Sequence, residues 1–150
     1  MRVDQYCKRA VIAIPTDADV AEAACMMRER HVGFLVVFRA GDPLRKPVGV
    51  ITDRDIVLQV TARDVNPHAV TVEDVMTRQP MIAREVDDLS ELMHLMRIAG
   101  IRRAPVVDGR GALAGVIAVD DVIDAISGLM GDIAGSIKSE QRQEWRMRRM

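Results

Sequence analysis

A β-rich run leads into Gly49-Val50-Ile51-Thr52-Asp53-Arg54-Asp55, where a glycine, a hydroxyl and a carboxylate stand at three-residue intervals. A Thr followed three residues later by an acid is a capping box. The hydroxyl accepts from the amide near Asp55, and the carboxylate favours the positive end of a helix. The same atoms suit a ligand. A strand glycine admits close approach to the backbone. Amides at a helix start attract an anion, and a carboxylate can accept from both hydroxyls of a ribose. The pattern recurs in Gly115-Val116-Ile117-Ala118-Val119-Asp120-Asp121, with the acid kept and Ala118 where the hydroxyl stood. The spacing alone leaves cap and ligand site both open; the recurrence adds weight to the ligand.

That recurrence belongs to an internal repeat. Asp19-Val20-Ala21-Glu22-Ala23 matches Asp88-Leu89-Ser90-Glu91-Leu92, and Met27 matches Met96, at an offset of 69 residues. The Gly49 and Gly115 blocks match at an offset of 66, so the first copy is three residues longer. The extra length falls in Arg39–Lys46, where Gly41, Asp42 and Pro43 predict a hairpin loop. Each copy reads strand, helix, strand, strand, helix. In copy one these are 11–14, 19–30, 34–38, 48–51 and 53–61; in copy two, 81–83, 88–98, 104–107, 113–117 and 119–127. Neither unit is large enough to bury its own face, so the two are expected to share a core.

The predicted boundaries are 6–63 and 75–127 for the copies, 64–74 for a linker with a turn at Asn66-Pro67, and 128–150 for a tail. Gly128, Gly131 and Gly135 predict a loosened start to the tail. Beyond it, residues 138–150 carry five basic and two acidic groups at spacings that suit a helix.

Composition narrows the function classes. With 49% hydrophobic and 29% charged residues, the 150-residue chain is globular. Aromatic residues reach only 3% and the net charge is −1, which argues against a nucleic-acid binder. No apolar run approaches membrane-span length. His31, His68 and His94 have no ligand spacing, and Cys7 and Cys25 form no CxxC, so no metal site or disulfide framework is expected. No nucleophile–base set is recognisable, and Asp53/Asp55 and Asp120/Asp121 read better as helix-start acids than as an acid–base pair. Met26, Met27, Met93 and Met96 read as core or interface filler. The expectation is a cytoplasmic, non-enzymatic protein.

Four stretches together resemble a tandem pair of CBS domains, a Bateman module: Val32-Gly33-Phe34-Leu35-Val36-Val37, the Gly49–Asp55 block, Asp74-Val75-Met76-Thr77, and Ile101-Arg102-Arg103-Ala104-Pro105-Val106-Val107. The resemblance covers about residues 6–127. It implies an α+β fold of two repeats packed with pseudo-two-fold symmetry, followed by a helical tail. It also implies an adenine ligand (AMP, ADP, ATP, NAD or S-adenosylmethionine) in clefts between the repeats. Asp55 then matches the ribose-binding acid and Thr52 its hydroxyl partner. Asp121 keeps the acid of the second site, while Ala118 weakens it. Arg102 and Arg103 match phosphate contacts, although two exposed strand arginines would look the same. Ile12, Gly33 and Phe34 would flank the base. The site at Thr52 and Asp55 is thus expected to be the tighter. The module would form a homodimer through its repeats and signal to an unidentified effector protein, with no nucleic acid or membrane partner. The alternative is an interaction scaffold whose nucleotide sites are degenerate.

Overall fold

A computed structural model describes all 150 residues. In the first repeat, β1 (Ala13–Pro15) pairs parallel with β2 (Phe34–Phe38), which pairs antiparallel with β3 (Pro47–Thr52). Helix α1 (Val20–Arg30) connects β1 to β2, and α2 (Asp53–Ile56) follows β3 and runs into a π turn over Val57–Thr61. After the connector, α3 (Val72–Val75) leads to β4 (Thr77–Arg78), which returns to pair antiparallel with β3. The second repeat places β5 (Ala83–Arg84) parallel to β6 (Arg103–Val107) and β6 antiparallel to β7 (Leu113–Ala118). Helix α4 (Leu89–Ala99) connects β5 to β6, and α5 (Val119–Arg148) follows β7.

The helices begin where the sequence supplies caps. Asp19 accepts from the Glu22 amide at 2.8 Å, and Asp88 accepts from those of Ser90 and Glu91. His31 and Gly100 end α1 and α4 in the left-handed conformation. Behind each sheet lies one apolar cluster. Ile14, Leu35, Val37 and Ile51 centre the first, and Leu89, Met96, Val106 and Ile117 the second. Met27 and Met96 are buried in these cores, with Met26 and Met93 packed against them. His94 is exposed.

The repeats exchange their leading segments. Val72 and Met76, before β4, are buried in the first core, although Val72 falls in the predicted linker and Met76 in the predicted second copy. Val3, at the other end, is fully buried in the second core. Its amide donates to the Asp87 carbonyl, and Lys8 pairs with Val116 across β7. Residues 64–74, expected as a linker, therefore end inside the first core, and the expected start at residue 6 omits Val3. Hydrophobic burial, not the order along the chain, sets these limits.

This exchange also explains the two strand glycines. A methyl at Gly115 would stand 2.7 Å from the Lys8 carbonyl oxygen, and one at Gly49 would stand 3.0 Å from the Thr77 carbonyl and collide with Met76. Both positions admit the crossing segment, rather than a ligand as the spacing suggested. The longer loop at 39–46 also does more than turn. The Leu44 carbonyl accepts from the Leu113 amide at 3.1 Å, tying the first repeat to the second. The tail differs from expectation too: its glycines do not interrupt α5, which runs unbroken for 30 residues.

Candidate functional site

A cleft of about 400 Å³ opens between the repeats. The first repeat contributes the chain before β1 and the turn from α1 into β2: Lys8, Val11, Ile12, Val32, Gly33 and Phe34 are among its lining residues. The second contributes Arg103, Val116, Ala118, Asp120 and Asp121 from the β6–β7 hairpin and the start of α5. Apolar walls therefore face two carboxylates and two cations, which suits a ligand with a flat apolar part and a polar, anionic part. His31 also lines the cleft, exposed, as the left-handed end of α1.

The floor of the cleft follows from Ala118. It occupies the N-cap of α5 and has no side chain to accept from the helix amides. Asp121 makes no capping box. Its carboxylate instead takes the Lys8 ammonium at 2.9 Å. That hydrogen bond is the main reason the Lys8 ammonium holds its proton above the ordinary lysine range, with the Asp121 charge second. Arg102 leaves the cleft and pairs with Asp120 at 2.6 Å on the exposed rim. Arg103, the next residue along the strand, lines the cleft.

Thr52 and Asp55 make the contacts that the capping-box reading requires. The Thr52 hydroxyl accepts from the Asp55 amide at 3.1 Å, and the Asp55 carboxylate accepts from the Thr52 amide at 2.9 Å. Asp53 packs back on Gly33, where an added methyl would stand 2.6 Å from its carboxylate. Of the residues the sequence singled out, the cleft therefore gathers Ile12, Gly33, Phe34, Arg103 and Asp121. Thr52, Asp55 and Arg102 lie outside it, so this cleft is the one at the second acid.

Lys8 is the residue that sequence reasoning missed. The signal was available, because the 69-residue offset continues back from Asp19 and sets Val3 against Val72 and Lys8 against Thr77. No group of three or more His, Cys, Asp or Glu side chains comes together in a way that could hold a metal ion.

Comparison with known proteins agrees with this architecture. The CBS domain family model matches residues 3–62 and 72–128. An uncharacterized protein from Methanopyrus kandleri is 34% identical over 142 residues, spanning 94% of this chain and 70% of its own. The structure of a CBS domain protein from Pyrobaculum aerophilum complexed with AMP superposes with a TM-score of 0.73 at 26% identity, covering 81% of this chain and 89% of that one. A hexameric CBS-CP12 protein from bloom-forming cyanobacteria superposes at 0.71 with 28% identity, over 82% of this chain and 69% of its own.

Proposed function

The chain belongs to the CBS domain family, as two domains in tandem, and from that premise we propose that it is a regulatory module that binds an adenine nucleotide in the cleft between its repeats. The observation that carries this is the convergence of Asp121, Lys8 and Arg103 on a cleft walled by Ile12, Val32 and Phe34. The base lies against the apolar wall. Asp121 accepts from the ribose hydroxyls, and Lys8 and Arg103 face the phosphates. A ligand that takes Asp121 in this way exchanges the Lys8–Asp121 pair for its own contacts, so Lys8 becomes free to turn to a phosphate. Because Lys8 belongs to the exchanged segment, occupancy alters how the first nine residues sit on the second core.

The AMP complex of the Pyrobaculum protein supports an adenosine ligand. AMP, ADP, ATP, NAD and S-adenosylmethionine share that part and differ where Lys8 and Arg103 act. Thr52, Asp55 and Arg102 are assigned the corresponding place on the other side of the pair. A ligand there must share Asp55 with the Thr52 amide, so this second site is the weaker. The module acts by passing the change in its shape to an effector protein and forms a homodimer through its repeats. A change of shape requires that the ligand bind one arrangement better than the other.

Thermal unfolding with each of the five ligands tests the reading. A ligand at 100 times its dissociation constant stabilises by about 2.7 kcal/mol, roughly 5–10 °C for a chain of this size. The shift is expected in the native protein and lost in Asp121→Ala. No shift with any of them, in well-folded protein, would leave an interaction scaffold with degenerate sites.

A further inference from the structure

The last helix carries an apolar face that nothing in the chain covers. Its first turn is anchored, with Val122 buried in the second core. The same face then continues outward through Ile123, Ile126, Leu129, Met130, Ile133 and Ile137, each between 45% and 65% exposed. These positions recur at helical spacing and form one stripe about 21 Å long, at 1.5 Å per residue. Gly128, Gly131 and Gly135 lie away from the stripe and weaken the helix without helping it pack. A helix of this composition, standing clear of the domain, has too little of its own to hold it in water. It needs a partner along the stripe.

Charge and symmetry identify that partner. Residues 119–137 hold four acids, Asp120, Asp121, Asp124 and Asp132, and no base. Residues 138–150 hold five bases and two acids. A helix with one acidic and one basic half complements itself when a second copy runs antiparallel, and opposes itself when the copy runs parallel. The stripe has the matching symmetry. Turned about Met130, Ile123 comes level with Ile137 of the second copy, and Ile126 with the turn that holds its Ile133. In that register Lys138 and Arg142 fall within about one turn of the other copy's Asp120, Asp121 and Asp124. We propose that α5 is a self-association surface on which a second copy of this chain packs antiparallel, with Met130 on the two-fold axis. The contact is isologous, the same patch on both copies, and therefore closes as a dimer. It begins on the second repeat, at Ile123 and Ile126, and continues along the helix beyond it.

Cysteine cross-linking reads both the contact and its direction. The full chain is prepared with Cys7→Ser and Cys25→Ser, then with Met130→Cys, Ile123→Cys or Ile137→Cys, and oxidised with copper phenanthroline. These three positions are exposed, so the fold tolerates the change. Met130→Cys is expected to cross-link with itself. Ile123→Cys and Ile137→Cys are each expected to give no cross-link alone and to cross-link when mixed, and to do so less as salt rises. Cross-links of Ile123→Cys and of Ile137→Cys with themselves would mean a parallel pair and overturn the proposal. The absence of any cross-link would also overturn it, leaving a lipid surface or a different protein as the cover of the stripe. The readout is independent of nucleotide binding, so it stands or falls apart from the proposed ligand.

Discussion

The starts of α2 and α5 hold equivalent places in the two repeats, yet their carboxylates do different work. Asp55 is drawn back onto the Thr52 amide at 2.9 Å, while Asp121 reaches across to Lys8 at 2.9 Å. Two side chains separate them, the one at the N-cap and the one that crosses above it. A hydroxyl at the N-cap recruits the acid three residues on into a reciprocal cap; a methyl releases it. The segment crossing each sheet differs in step, with Lys8 where the other repeat has Thr77. The two halves of a duplicated unit thus hold their acids differently, one in a helix cap and one in an ion pair beside the cleft. In a motif that serves both as cap and as ligand site, losing the cap does not by itself mean losing the site.

The largest expected effect sets the two acids against each other. Asp121→Ala is expected to remove the ligand-induced shift of about 5–10 °C. Asp55→Ala is expected to keep most of it. Thr52→Ala lowers stability by about 0.5–2 kcal/mol, as loss of a cap does, and leaves the shift in place. Thermal unfolding of the three variants with and without ligand decides the matter. A shift lost in Asp55→Ala and kept in Asp121→Ala would reverse the assignment of the open site.

Next comes the crossing segment on which the open half depends. Gly115→Val places branched carbon against the Lys8 carbonyl, where even one methyl would stand 2.7 Å away. Overpacking of this kind costs about 1–3 kcal/mol. The cost is expected together with weaker ligand binding, because Lys8 is displaced with its backbone. Equilibrium urea unfolding gives the first quantity and ligand titration the second. Loss of stability with unchanged affinity would separate Lys8 from the ligand.

A smaller change converts one half toward the other. Ala118→Thr restores the N-cap hydroxyl and is expected to stabilise α5 by about 1 kcal/mol. It also adds a hydroxyl at the floor of the cleft. One hydrogen bond there is worth about 0.5–1.5 kcal/mol, or up to about tenfold in affinity. Calorimetric titration reads that gain. A weaker ligand, with the same gain in stability, would mean that the restored cap withdraws Asp121 from the cleft as Thr52 does Asp55.

These contrasts also mark how far the sequence was legible. The repeat, the helices over 19–30 and 88–98, and the hairpins were readable because capping acids and apolar spacing are local signals. Ile12, Gly33, Phe34, Arg103 and Asp121 line one cleft, but which acid they would meet there was not readable from spacing. What was not legible depended on contacts between distant segments. The glycines at 49 and 115 look like ligand positions until the crossing strands are seen above them. Lys8 belongs to no motif in the sequence until Val3 is found in the second core. The three glycines after Ser127 predict a break by propensity alone, but propensity is a weak prior against a continuous apolar stripe.

The smallest effect lies in acid. The Thr71 backbone amide, which donates to the Asp74 carboxylate, and then the Thr71 side chain hold that carboxyl below the usual aspartate value of 3.8. The Ser90 hydroxyl, then the Glu91 amide, lower that of Asp88. The Arg110 amide does most to lower that of Asp108, at the turn of the second hairpin. A folded value below the unfolded one means that each group stabilises above 3.8 and loses its contribution as pH falls through the folded value. Stability is therefore expected to be flat near neutrality with respect to these three acids and to decline between about pH 5 and about pH 2. Two of the three belong to the second repeat, where Asp88 starts α4 and Asp108 closes the β6–β7 turn. Asp88→Asn and Asp108→Asn should accordingly flatten the acid limb of a urea-unfolding series more, together, than Asp74→Asn does alone. An equal or larger flattening from Asp74→Asn would place the acid-sensitive half in the first repeat, with the exchanged segment at Thr71 as its weak point.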